Sequence, residues 1–346
     1  MNDKKIVGAL VALVMAYLGI SAVAADPPLE RFVYVEGHMG TRFKIILYAT
    51  NKKAADDAVN SAFGRIAALD RMMSDYRDDS ELMKLCAKAG GDPVEVSDEL
   101  FDVLMRAHNL SKRCDGAFDV TVGPLTRLWR QSRKSGKLPD KETLDKARDL
   151  VGYDKMTLDD KKHTVRLTKA GMQLDLGGIA KGYAADAALK ALKDKGCSRA
   201  LVAAGGDIAV NDAPPDAEGW KIGIAPLEDP ESTPKKYLIL HNAGVSTSGD
   251  AEQFVEIEGK RYSHIVDPKT GLGLIGRMSV TVVAPNGTTS DSMTKIVAVL
   301  GPEKGMKIID DTEGVSAFML HKTDKGDETF YSKRFKSLPQ KDDDKD

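Results

Sequence analysis

Residues Gln173 to Asp186, reading Q-L-D-L-G-G-I-A-K-G-Y-A-A-D, constrain this chain more than any other stretch. A short apolar strand, Met172–Asp175, runs into two glycines, and a helix is expected from about Ile179 with Lys181 in its first turn. A helix N-terminus presents unpaired N–H groups and a partial positive charge, which suits it to hold phosphate. Gly177 and Gly178 remove the β-carbons that would keep a ligand from that backbone. Lys181 adds a full charge, and Asp175 an acceptor at the strand's end. The pattern is not a Walker loop, which needs Gly-Lys-Ser/Thr after a longer glycine-rich loop. It is not a Rossmann fingerprint either, because the G-x-G-x-x-G spacing is missing. Taken alone, the segment is equally a tight strand-to-helix turn with a solvated lysine.

Residues 1–25 read as a secretory signal peptide: Lys4 and Lys5, an apolar run from Ile6 to Ile20, then Ala22-Val23-Ala24 as cleavage signal. The run is short for a membrane span. The mature protein is therefore expected to be exported, soluble and periplasmic or loosely associated with the inner membrane. About 320 residues remain, enough for one substantial core. The formal net charge of −2 and the lack of a basic stripe with interleaved aromatics argue against nucleic acid as a partner. Cys86, Cys114 and Cys197 are widely spaced with no CxxC pairing, so they read as small apolar fillers and signal no zinc site.

Along the chain, Arg31 to Tyr48 reads as two strands broken at Gly37–Thr41. Ala55, Val59, Ala62, Ile66 and Leu69 recur at helical steps, and a second helix follows Ser97 as cap. Ser135 to Gly152 is a polar, helix-forming insertion. Strands are expected at Lys155–Leu158, Thr164–Leu167, Ala200–Ala204, Trp220–Ala225, Tyr237–His241, Phe254–Ile257, Tyr262–Val266 and Met278–Val283. Gly196 stops the signature helix, and Glu258-Gly259-Lys260 forms a hairpin turn. Helices at Ser290–Leu300 and Glu303–Asp311 precede closing strands near Val315–His321 and Glu328–Tyr331. The mixture predicts an α+β fold, mainly antiparallel, in a single compact unit over residues 26–335. Residues 336–346, charged from Lys341 onward, read as a disordered tail.

Further segments are rich in groups able to do chemistry. They are Gly37-His38-Met39-Gly40-Thr41, Met73-Ser74-Asp75-Tyr76, Gly116-Ala117-Phe118-Asp119 at a helix-to-strand junction, and Ser246-Thr247-Ser248-Gly249, which also fits an edge strand. Tyr262 to Pro268 ends a strand in polar residues, and Thr288 to Lys295 crowds hydroxyls and a carboxylate at a helix start. An Asp there either caps the helix or holds a hard cation through oxygen. As a helix-start residue, Asp291→Ala is expected to cost about 1 kcal/mol.

These residues resemble the ApbE family, the FAD:protein FMN transferases of the bacterial cell envelope. The resemblance runs from about Gly37 to Leu320 and rests on Asp-Leu-Gly-Gly-Ile-Ala-Lys-Gly-Tyr (175–183), Ser-His-Ile-Val-Asp-Pro-Lys-Thr-Gly (263–271), Ser-Thr-Ser-Gly (246–249), Met-Gly-Thr (39–41) and Ser-Asp-Ser-Met-Thr-Lys (290–295). It implies a T-fold-like unit with an FAD cleft, in which Met39, Tyr76, Ala117, Phe118, Asp119, Asp175, Lys181 and Ile265 line the FAD site. It implies Mg2+ held by the Gly178 carbonyl and the Asp291 carboxylate. The implied reaction moves FMN from FAD to a Thr or Ser hydroxyl of an exported or membrane redox protein and leaves AMP. Breaking a phosphoanhydride calls for a cation at the developing charge, and the attacking hydroxyl must lose its proton. Lys181 is the expected point cation on phosphate and His264 the expected base.

One position departs from the resembled pattern. Many relatives carry Thr four residues after the metal-binding Asp; here it is Lys295, and Thr294 sits about 100° round the helix. A protonated lysine is no ligand, so either water completes the shell or the ammonium meets phosphate. Two other activities fit the same residues: hydrolysis of FAD to FMN and AMP, and flavin binding without chemistry.

Overall fold

The computed structural model describes residues 28–224, 236–249, 254–323 and 326–342. The expected signal peptide, Ala225 and residues 343–346 lie outside these. The chain opens with a hairpin, β1 (Glu30–His38) and β2 (Thr41–Ala49), turned by Met39 and Gly40, both at positive φ. Five helices follow, interrupted by a short strand: α1 (Lys52–Met73), α2 (Glu81–Cys86), β3 (Val94–Glu95), α3 (Asp98–Arg113), α4 (Gly123–Ser135) and α5 (Lys141–Asp149). Side chains that prefer caps start four of them: Asn51 accepts from Ala54 N at 2.9 Å, Ser80 from Met83 N at 3.0 Å, Ser97 from Leu100 N at 3.3 Å and Asp140 from Thr143 N at 2.9 Å.

After β4 (Met156–Asp159) and β5 (Thr164–Leu167) comes α6 (Ala180–Asp194), then β6 (Ala200–Ala204), β7 (Asp207–Val210), β8 (Trp220–Gly223), β9 (Lys236–Leu240) and β10 (Ala243–Gly249). The chain continues through β11 (Phe254–Ile257), β12 (Lys260–Val266), β13 (Gly273–Ile275) and β14 (Arg277–Ala284) into α7 (Gly287–Asp310). It closes with β15 (Ser316–Thr323), β16 (Gly326–Tyr331) and β17 (Gln340–Asp342).

An eight-stranded sheet, in the order β1-β2-β6-β7-β10-β14-β15-β16, organises the molecule, and every neighbouring pair in it is antiparallel. Strand period two divides its residues between two cores. Ile45 and Leu47 face the helices α1, α3, α6 and α7. Ile46 between them faces the other side, where Trp220, Ile222, Leu238 and Leu240 of the small β17-β9-β8 sheet cover it. A third cluster, built on Leu125, Trp129, Tyr262 and Val266, ties α4 to the β11-β12-β13 sheet. The α+β, mainly antiparallel expectation is met.

Several local expectations are corrected. Met172–Asp175 is extended but not a strand; it makes one parallel bridge, Val122 to Gln173. Gly116–Asp119 joins α3 to α4, a helix-to-helix junction. Ser246–Ser248 belong to a central strand, not an edge. The first of the two expected late helices begins at Gly287, capped by Asn286, and not at Ser290; the break between the two falls where expected, at the non-helical Gly301 (φ 74°) before Pro302. The supposed tail from Lys336 folds through Asp342, because Gln340–Asp342 pair with β9. All three cysteines are buried free thiols. No helix among the described residues is long and apolar enough to cross a membrane.

Candidate functional site

The turn after Leu174 is held from three directions. The Leu174 N–H donates to Cys86 Sγ at 3.3 Å, and the Gly177 N–H to Asp175 Oδ1 at 2.7 Å. Arg130, on α4, donates to Asp175 Oδ2 at 2.9 Å and to Asp75 at 2.5 Å. The same guanidinium lies 4.3 Å from the centre of the Tyr76 ring, whose side chain is otherwise exposed. A cation over an aromatic face is attractive, so Arg130 gathers Tyr76, Asp75 and Asp175 at one edge of the turn.

Helix α6 starts directly after this turn, and no side chain caps it. The helix meets α7 with almost no clearance. A β-carbon on Gly182 would stand 2.1 Å from Gly287 O and 2.8 Å from Asp291 Cβ. Only glycine permits that approach, and the approach brings Asp291 to the first turn of α6. From the same helix, Asp186 secures the start of α7 by accepting from the backbone N–H groups of Gly287 (2.7 Å) and Thr288 (2.8 Å).

Asp291 is therefore not a cap. It is fully buried, one turn inside α7. Its Oδ2 accepts from Gly182 N at 3.0 Å, and its Oδ1 is paired with Lys295 Nζ. Lys181 Nζ lies 3.9 Å from Asp291 Oδ2 and 2.9 Å from Asp207 Oδ2. Two ammoniums and two carboxylates thus share one buried site. Burial opposes charge on Lys181, but Asp291 and Asp207 outweigh it and hold the ammonium well above its ordinary pKa. Burial likewise works against the Asp291 carboxylate, yet Lys181 and Lys295 keep its pKa below the usual range. Asp207 goes the other way: burial, then repulsion from Asp291, raise it.

Hydroxyl pairs fix the direction of α7 over the sheet. Ser246 Oγ meets Ser290 Oγ at 2.8 Å, and Ser248 Oγ meets Thr294 Oγ1 at 2.8 Å. Thr247, on the opposite face, pairs with Thr281. The three consecutive hydroxyls therefore hold α7 and the sheet in register, and the Thr294 hydroxyl sits between Ser248 and the Asp291 carbonyl, to which it donates at 2.7 Å, rather than on the Asp291 carboxylate.

The remaining expected residues lie on the segments around Met39, Phe118, Gly178 and Ile265. A β-carbon on Gly178 would lie 3.1 Å from the Phe118 ring and 3.7 Å from the Lys295 side chain, which brings those three together. Cys114 Sγ accepts from Phe118 N at 3.2 Å and fixes that loop. Ala117 is buried, and the buried Asp119 accepts from both the N–H and the hydroxyl of Thr121, so it braces the loop. Met39 is half-buried, with its N–H on Asp70 at 3.0 Å. Two residues on, the Thr41 hydroxyl lies 3.3 Å from where a Gly205 β-carbon would stand, at the turn leading to Asp207. On β12, Ile265 is buried and His264 half-buried, at an irregularity in pairing with β13. Such bulges re-aim side chains. Trp129 Nε1 donates to Ser263 O at 3.0 Å and so ties this strand to the helix that carries Arg130.

Sequence reasoning missed Arg130 and Asp207. Arg130 reads as one more cation in a polar stretch with no motif around it. Asp207 follows Gly205-Gly206 and opens an apolar strand, a glycine pair beside a carboxylate much like the one at Asp175. A groove of about 770 Å³ lined by Arg65, Asp102, Arg106, Tyr183 and Asp186 lies elsewhere and contains none of the expected FAD residues.

The donor set suits magnesium in kind. Asp207 Oδ1 is buried with no hydrogen-bond partner, a state proteins rarely leave unexplained. It and Asp291 are hard oxygen donors, as is the Gly178 carbonyl. Among the described residues no cluster of three or more Asp, Glu, His or Cys side chains could hold a metal ion. A cation here would depend on one or two carboxylates, backbone and phosphate oxygens, which is the manner magnesium favours.

Known proteins share the sequence and the fold of this chain. The FAD:protein FMN transferase of Escherichia coli K12 is 31% identical over 307 residues, covering 87% of each chain. That of Haemophilus influenzae is 31% identical over 351 residues, covering 97% of this chain and 99% of its own. The structure of the flavin transferase ApbE from Vibrio cholerae superposes with a TM-score of 0.79 at 29% identity, covering 90% of this chain and all of that one. The ApbE family profile itself matches residues 39–319, from the β1–β2 turn to β15, and the chain belongs to the ApbE family.

Proposed function

We propose that this chain transfers FMN from FAD to a Thr or Ser hydroxyl of an exported or membrane-bound redox protein, releasing AMP, with magnesium as its metal. The observation that carries the reading is Lys181. Its ammonium is fixed between Asp207 and Asp291 in the first turn of a helix that no side chain caps. That arrangement suits the charge of a diphosphate. Relatives named as FAD:protein FMN transferases support the reaction, and the N-terminal basic, apolar and Ala-Val-Ala segments support export.

In the reaction the acceptor hydroxyl oxygen bonds to the phosphorus of the FMN half. The bond from that phosphorus to the oxygen bridging toward AMP breaks, and its electron pair leaves with AMP. His264 takes the hydroxyl proton. Lys181 balances charge on the phosphate oxygens, and Arg130 with Tyr76 offers a cation-backed aromatic face at the edge of the site. A magnesium ion held by Asp291 and the Gly178 carbonyl would supply Lewis-acid stabilisation of the same oxygens.

The test is intact mass of a threonine-containing acceptor domain after incubation with the mature protein, FAD and magnesium. A magnesium-dependent gain of one FMN is expected. FAD cleaved with the acceptor unchanged, across several acceptor domains, would establish hydrolysis instead. FAD bound and intact would establish a carrier.

A further inference from the structure

We infer that Lys295 is a built-in competitor of the divalent cation: its ammonium occupies Asp291 in the metal-free protein and must leave before a cation can bind there. The inference rests on the proposed role of Asp291 as a cation-facing carboxylate.

The two oxygens of Asp291 are committed unequally. Oδ2 accepts from Gly182 N and faces Lys181, whereas the partner of Oδ1 is Lys295. The ammonium also donates to the Asp291 carbonyl at 3.0 Å, so it sits over both oxygens that this residue turns toward its own helix face. The stem of Lys295 runs past Gly178, the other expected ligand. An incoming cation therefore meets a positive charge already in its place. Lys181 cannot be that competitor, because Asp207 holds it at 2.9 Å. Among the described residues Lys295 pairs within 4 Å with no carboxylate but Asp291, although its charge also acts on Asp207. Its side chain is 15% exposed, and four flexible methylenes give it a route outward.

Electrostatics sets the direction of the effect. With Lys295 in place, two carboxylates face two ammoniums, and the cluster is neutral before any metal arrives. Removing the Lys295 charge leaves a net negative, desolvated site, where attraction for a divalent ion is stronger than in water. The natural protein should bind the ion weakly until phosphates bring negative charge of their own. Lys295 thus couples metal binding to substrate binding.

The test is direct titration of Mn2+, a probe with similar oxygen preference, into the full mature chain without FAD, read by the electron paramagnetic resonance of free Mn2+. Mg2+ is added as displacer. Lys295→Thr and Lys295→Met should each bind Mn2+ at least tenfold tighter than wild type, and Mg2+ should displace it. The methionine variant keeps most of the stem's packing, so a folding defect in the threonine variant would not hide the answer. Equal or weaker binding in both variants, or no binding in any protein, would overturn the inference. So would a gain that survives Asp291→Asn in the Lys295→Thr background, because the competition would then not be for Asp291. No FAD or acceptor is present, so a chain that fails to transfer FMN would still give a clear result here.

Discussion

Removing the carboxylate of Asp291 should cost far more than a lost helix cap. The sequence places this residue at a helix start, where Asp→Ala costs about 1 kcal/mol. The structure places it fully buried, one turn in, against two ammoniums and the Gly182 N–H. Deleting one partner of a buried ion pair costs about 3–5 kcal/mol because the other charge is left unpaired. Lys295 and Lys181 are 15% and 26% exposed, so turning toward solvent relieves part of that, leaving about 2–3 kcal/mol. The orphaned Gly182 N–H adds roughly 1 kcal/mol more. Asp291→Ala should therefore destabilise by about 3–4 kcal/mol, measured by urea unfolding of the mature protein. If the penalty comes from stranded charge, adding Lys295→Met to Asp291→Ala should restore at least about 1 kcal/mol, an interaction that additive effects would not give. A loss below about 1 kcal/mol, or no recovery in the double variant, would refute the argument that this carboxylate is held by its cations.

Three other outcomes follow from the same geometry. Gly182→Ala puts a β-carbon 2.1 Å from a backbone oxygen that cannot rotate away, so it should destabilise by about 1–3 kcal/mol in urea unfolding and also depress transferase rate by separating α6 from α7. Arg130→Ala releases Tyr76 and leaves Asp75 beside Asp175; KM for FAD should rise about tenfold in steady-state assays while kcat changes less, the loss of one charge-assisted contact. His264→Ala should lower kcat by about a hundredfold or more with FAD affinity nearly kept, by flavin fluorescence titration; a fall in affinity alone would make His264 a contact and not the base.

What could be read in the sequence was whatever local rules decide. The apolar steps of Ala55 to Leu69 fixed α1, Ser97 marked the start of α3, and Glu258-Gly259, both at positive φ, make the hairpin turn expected between β11 and β12. Helix α4 was not legible: it begins Gly123-Pro124, which reads as a turn, and its inward face carries few apolar side chains, Leu125, Leu128 and Trp129, beside a buried Ser132. Strand β10 was misplaced because Ser246 and Ser248 look like surface residues. Their burial depends on Ser290 and Thr294 of a helix far along the chain, which no local pattern reveals. Lys181 and Asp291 were both recognisable as candidates. That they meet depends on Gly182, since only the missing β-carbon lets the two helices touch.

Charge accounting explains why so much is buried here without substrate. Two carboxylates are expensive to desolvate, and two ammoniums offset them, so the resting cluster is neutral and the chain can fold around it. The diphosphate of FAD would bring about two further negative charges to the same helix start, and one divalent ion restores the balance. A site that was negative at rest would bind metal early and favour hydrolysis of any bound phosphoanhydride by whatever water remained. A site neutral at rest would bind the metal weakly until the phosphates arrive, which would place the reactive charge state after substrate has entered. Lys295 is the residue that makes this difference, because without its charge the cluster keeps Lys181 as its one cation against Asp207 and Asp291. Affinity for the cation measured with and without a diphosphate should therefore differ more in the natural chain than in Lys295→Thr.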